Sequence, residues 1–121
     1  MIYYNEAMQV SMDNGELETK QISQTVKDAV RLYVNELAAD MTPDEIGNRA
    51  RKLMKWMHDG EQKATDEFKG WFMKALEEKR HCTKEIQEHI WNTVWRKDRQ
   101  VLMLSVDNYL GDAAKMSYLT R

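Results

Sequence analysis

Residues 41–60 read MTPDEIGNRARKLMKWMHDG, and this stretch decides how the chain is read. Thr42 is a natural N-cap, Pro43 suits the first helical position, and Glu45 stands where a capping box needs it. Asp44 and Glu45 complement the positive end of a helix. Asp59-Gly60 supplies a stop. At about 100° per residue, Ile46, Ala50, Leu53, Met54 and Met57 gather on one side, while Arg51 and Lys55 point away. Trp56 falls at the edge of the apolar stripe, with Lys52 four residues and Arg49 seven residues before it. Their stems can lie on the indole, with a cation–π contribution of about 0.5–1 kcal/mol at an exposed site.

The same periodicity extends in both directions. Over 23–40, Val26, Ala29, Val30, Tyr33, Val34, Leu37 and Ala38 recur at three- and four-residue steps, with Ser23 or Thr25 as the cap and Lys27, Arg31 and Asn35 opposite. A third helix is expected from Thr65 to Lys79, with Phe68, Trp71, Phe72, Ala75 and Leu76 inward. Asp66 and Glu67 open it, and Lys79 and Arg80 close it. A fourth begins at Thr83 and carries Ile86, Ile90, Trp91, Val94 and Trp95. WRKDRQ at 95–100 interrupts the pattern. VLMLSV at 101–106 is apolar on all sides and reads as a buried helical continuation, with a central strand as the alternative. Gly111 marks an expected break and Asp112 the cap of a short last turn ending at Leu119. Ahead of all this, residues 7–22 carry a β-hairpin pattern. Met8, Val10 and Met12 alternate, and Asn14-Gly15 suits a tight turn, although Leu17 and Ile22 break the alternation on the return.

The fold expected is therefore mainly α. It is a compact bundle of four to five helices over 23–119 with an N-terminal hairpin arm over 1–22, all in one domain. The 121-residue length is that of a single domain. With 42% hydrophobic and 31% charged residues, the composition suits an ordinary globule. One cysteine, Cys82, excludes an internal disulfide framework and suits a reducing compartment. The start, MIYYNEAMQ, lacks the pattern of a secretory signal, and no apolar run reaches the ~20 residues of a membrane span. A cytoplasmic protein with no membrane association is the expectation.

Net charge is −2, and residues 1–40 hold seven acidic against three basic side chains. A polyanion binder concentrates positive charge. A slight excess lies in 41–60, with the rest nearly balanced, and it raises the alternative of a helix-turn-helix-like pair around residues 26–57 that presents Arg49, Arg51, Lys52 and Lys55 to nucleic acid. The first turn of that second helix, however, would put Asp44 and Glu45 against phosphates. WRKDR at 95–99 is a second basic site, where aromatics beside cations can clamp single strands, but Asp98 weakens it.

Metal and nucleophile patterns fare no better. His81, Glu85 and His89 share a spacing of four, yet Thr83 as a cap leaves His81 outside the helix. The Glu78 to His81 stretch has the Glu-x-x-His form of di-iron bundles without a second copy. Cys82 lies beside His81, but no oriented base or oxyanion donor is identifiable. Walker, dinucleotide-binding and nucleophile-elbow patterns are absent. No catalytic residue, cofactor or metal site is assigned. What remains is a surplus of large side chains: Met54, Trp56, Met57, Trp71, Met73, Trp91, Trp95 and Met103. Such residues are enriched at interface centres. The sequence thus points to a non-enzymatic interaction module that binds and modulates, or inhibits, another protein, with Trp56, Trp91, Trp95, Arg96 and Arg99 as the contact residues. A homo-oligomer would use the same surplus. Small proteins of this kind occur among phage and mobile-element accessory or counter-defence factors.

Overall fold

Ile22, Val26, Ala29, Val30 and Tyr33 form a continuous apolar stripe that is withdrawn from water, with Leu17 buried just ahead of it. In the computed structural model, which describes residues 17–115, this stripe belongs to α1, Thr19–Leu37. Four helices follow: α2, Pro43–His58; α3, Gln62–Arg80; α4, Lys84–Lys97; and α5, Arg99–Ala114. The described residues contain no strand.

The start of α1 corrects the sequence reading. Residues 19–22, assigned above to the return strand of a hairpin, are its first turn. The helix opens at Glu18, whose backbone N–H donates to Gln21 Oε1 at 2.8 Å, and not at Ser23 or Thr25. Thr25 is buried inside the helix and donates its hydroxyl to the Gln21 carbonyl at 2.7 Å. Leu17 and Ile22 defeat strand alternation because both serve the helical core. The rest of the hairpin reading, residues 7–16, lies outside the described residues. Thr65 repeats the lesson in α3. The helix begins at Gln62, and Thr65 bonds the Glu61 carbonyl from within. A threonine on the apolar stripe faces the core and back-bonds one turn, so it cannot serve as a cap.

The other caps form as the residues dictate. Thr42 Oγ1 accepts from the Glu45 N–H at 3.3 Å, and the Thr42 N–H donates to Glu45 Oε1 at 2.9 Å. Gly60, at φ 78°, closes α2, with the Glu61 N–H reaching back to the Trp56 carbonyl. This left-handed position is where glycine costs least. Thr83 caps α4 by accepting from Ile86 N–H. Residues 101–106 are helical, and the helix runs through Gly111 to Ala114, so neither the break at Gly111 nor the cap at Asp112 is present. The interruption falls at Asp98, the single non-helical residue between α4 and α5 and within the 95–100 stretch that breaks the sequence pattern.

Packing follows a two-by-three plan. α3 and α5 each contact α1, α2 and α4, while those three contact one another little. Phe68, Phe72 and Leu76 from α3 and Leu102, Val106 and Leu110 from α5 fill the centre. Val26 and Ala29, Ala50 and Leu53, and Ile90 and Val94 close on it from the three outer helices. No described helix is long and apolar enough to cross a membrane.

Candidate interaction surface

Two large apolar side chains among the described residues stand in solvent: Trp56, 42% exposed, and Leu104, 65% exposed. Trp56 projects from α2 seven residues after Arg49. On a helix these two share a flank, and Arg49 reaches from that flank to Glu67 of α3 at 4.0 Å. Trp56 therefore lies beside the α2–α3 seam instead of entering it. Lys55, next to it, is held by Asp59 at 3.2 Å.

Trp91 is a core residue, 4% exposed. Its ring stands edge-on to Phe72, with centroids 5.3 Å apart, and stacks on Trp95 at 5.5 Å with the planes 15° apart. This corrects the assignment of Trp91 as a contact residue, because its faces are already covered. Trp95 is half-buried. The Arg99 guanidinium lies 4.1 Å from its ring centroid, while Arg99 Nε donates to the Trp95 carbonyl at 3.1 Å. The WRKDR cluster is thus an internal stack bracing the α4–α5 junction, with Arg96 exposed at its rim. Most of the methionine and tryptophan surplus goes the same way. Met57 and Met73 are buried, and Met54, Trp71 and Met103 pack against the core.

The outer face of α5 was not legible from the sequence. Gln100, Leu104, Asp107 and Asn108 lie along one exposed stripe. A shallow depression of about 360 Å³ adjoins it, lined by His58, Gln100, Met103, Leu104 and Asp107. His58 Nε2 and Asp107 Oδ1 form a hydrogen-bonded pair that fastens α2 to α5 at its edge.

No family model, curated protein or solved structure matches the chain. Function therefore has to be argued from these side chains alone.

The basic residues of α2 do not converge. Arg51 leaves the helix on the flank opposite Arg49 and donates to the Ala114 carbonyl at the end of α5 at 2.8 Å, with a second bond to Asn48 at 2.8 Å. It satisfies a helix terminus there, a common use of arginine. Arg49 and Lys55 are paired with carboxylates as described, and Lys52 is exposed. The helix-turn-helix-like pair read around residues 26–57 corresponds to α1 and α2. The connection runs over 38–42, and α1 and α2 pack on α3 and α5 instead of on each other. Among the described residues no three His, Cys, Asp or Glu side chains come together as a metal group. His81 caps α3 in the left-handed conformation at φ 56°, away from the α4 helix that carries Glu85 and His89. Cys82 is buried between the two helices, and its carbonyl accepts from Gln87 Nε2 at 2.8 Å.

Among the described residues, two groups stand away from their ordinary titration ranges. The Tyr33 hydroxyl is buried beside Arg49 and Glu67 without a well-aligned hydrogen bond. Burial raises its pKa above the ordinary tyrosine value, the charge of Glu67 adds to the rise, and Arg49 opposes it. Arg80, half-buried at the end of α3, is lowered by lost solvation and pulled back by Asp28.

Proposed function

We propose that this chain is a non-enzymatic helical interaction module that binds another protein through the α2 flank bearing Trp56 and modulates it, with inhibition as the mode. One observation carries the reading: an indole placed mid-surface at 42% exposure when the other aromatic rings among the described residues are buried or half-buried. Tryptophan gives more binding free energy per side chain than most residues when a partner covers it. Arg49 and Lys52 on the same side supply a polar rim. Trp95, Arg96 and Arg99 are a second contact region, less available because Trp95 is already stacked. The setting inferred is the cytoplasm, as an accessory or counter-defence factor of a phage or mobile element; this rests on size and on the sequence alone.

The test is affinity capture from the native cell with wild type and Trp56→Glu, followed by mass spectrometry. One stoichiometric protein partner, lost in the variant while its circular dichroism and melting temperature stay unchanged, is the expected result. Equal capture by both proteins defeats the Trp56 assignment. Retardation of duplex or single-stranded nucleic acid at low salt, weakened by Lys52→Glu with Lys55→Glu, would establish the nucleic-acid alternative instead.

A further inference from the structure

Gln87 is only 5% exposed, yet it lines a groove of about 400 Å³ between α3 and α4, a size found among small-molecule sites. Its Nε2 donates to the Cys82 carbonyl at 2.8 Å. A carbonyl can only accept, so this bond fixes which end of the amide is which and turns Oε1 away from Cys82. Oε1 meets no described donor and is not sealed from water, so it is an acceptor that a buried side chain offers to the groove. We propose that the groove binds a small zwitterion of the α-amino-acid class, with its ammonium on Gln87 Oε1 and Glu77 and its carboxylate on Lys84 at the start of α4.

The groups around Gln87 select this class. Several lining side chains are already engaged. Lys69 pairs with Glu88 at 3.0 Å, Lys74 lies over the Trp71 ring at 5.4 Å, and Asp66 accepts from Gln62 at 2.8 Å. The side chains of Glu77 from α3 and Lys84 from α4 are exposed on the same groove and make no ion pair or hydrogen bond with any described residue. One carboxylate and one ammonium beside a fixed acceptor match a ligand that carries both signs and N–H donors. A polyanion would meet Glu77, and a polyamine would meet Lys84, each against its own sign. Lys84 is also the first residue of α4, where the helix dipole disfavours a cation and favours an anion. A carboxylate there answers both the side chain and the helix end.

The floor of the groove has room for the rest of such a ligand. Met73, 8% exposed, supplies an apolar surface. Gly70 lines the groove with no side chain to fill it, and a Cβ added there would meet nothing within 4 Å. Glycine weakens a helix interior, and neither close packing nor a positive φ requires it at this position. Close approach of a ligand to the backbone is a use of glycine that fits a groove lining.

Titration of the isotope-labelled chain with each standard α-amino acid in turn, followed by nuclear magnetic resonance, tests this. At least one should shift the Gln87 side-chain amide and the Gly70 backbone amide at millimolar concentration or below. Its decarboxylated amine and its N-acetyl derivative, each lacking one of the two charges, should not. Lys84→Glu should weaken binding by about tenfold or more. Gly70→Leu should abolish it by filling the groove, with the melting temperature unchanged or raised because leucine replaces glycine at an open helical position. The proposal is overturned if no amino acid moves those two amides, if the amine or the N-acetyl form binds equally well, or if binding survives Gly70→Leu or is undiminished in Lys84→Glu. None of these results touches the Trp56 reading, which rests on another helix and on a protein partner.

Discussion

Tyr33 packs edge-on against Trp71, with centroids 5.8 Å apart, and holds a buried hydroxyl that makes no well-aligned hydrogen bond although Arg49 and Glu67 stand close. An unpaired buried hydroxyl costs free energy that a phenyl ring does not. Tyr33→Phe is therefore expected to leave stability at neutral pH unchanged or to raise it by up to about 1 kcal/mol, read by urea denaturation. The pH dependence follows from the raised pKa. The folded state holds the phenol proton more tightly than the unfolded chain, so the contribution is complete below the ordinary tyrosine pKa and is lost as pH rises through the folded value. Wild type should lose stability in alkali more steeply than Tyr33→Phe. The sequence placed Tyr33 on the buried stripe correctly. It could not show the poorly bonded hydroxyl, which depends on where Arg49 and Glu67 of two other helices come to rest. Trp91 and Trp56 make the same point from opposite sides. Both lie on or near apolar stripes, but the packing of α4 against α3 covers Trp91, while Trp56 on α2 stays exposed.

Helix boundaries were legible wherever a cap stood off the apolar stripe. Thr42, with Pro43 and Glu45 behind it, and Thr83 are such caps, and both accept the bonds expected of them. Removing either by Thr42→Ala or Thr83→Ala should cost about 1 kcal/mol, measured as a fall in the denaturation midpoint without a change in slope. Thr25 misled as a cap, and the start of α3 was set three residues late at Thr65, because residue type alone does not reveal which threonine faces inward. α5 misled differently. Apolar residues on every side give no periodicity to mark a face, so its exposed stripe was invisible, and Gly111 looked like a terminus. Yet Gly111 is helical and has open space around it. Gly111→Ala should therefore stabilise by about 0.5–1 kcal/mol, as glycine-to-alanine does in an unobstructed helix, seen as a higher melting temperature in dilute solution.

At the scale of the molecule, α3 and α5 each pack against the other three helices and hardly against each other. Phe72, completely buried between α3's neighbours and edge-on to Trp91, should be among the most sensitive positions. Phe72→Ala is expected to cost about 3–5 kcal/mol, enough to threaten folding of a chain this size, whereas Trp56→Ala should barely move the melting temperature. That contrast, checked by thermal denaturation of the two variants side by side, separates core aromatics from surface ones without any partner. The fold class was readable because three- and four-residue spacing dominates from Val26 to Val94; the pairing of helices was not, since nothing local says that α1 passes over α2 to reach α5. This long-range pairing shapes biosynthesis. As the ribosome releases the polypeptide, α1 and α2 emerge with their sticky flanks uncovered, and α5, which shelters them, is translated after them. Newborn chains should stay open to protease, and in need of a chaperone, until Ala114 has cleared the exit tunnel.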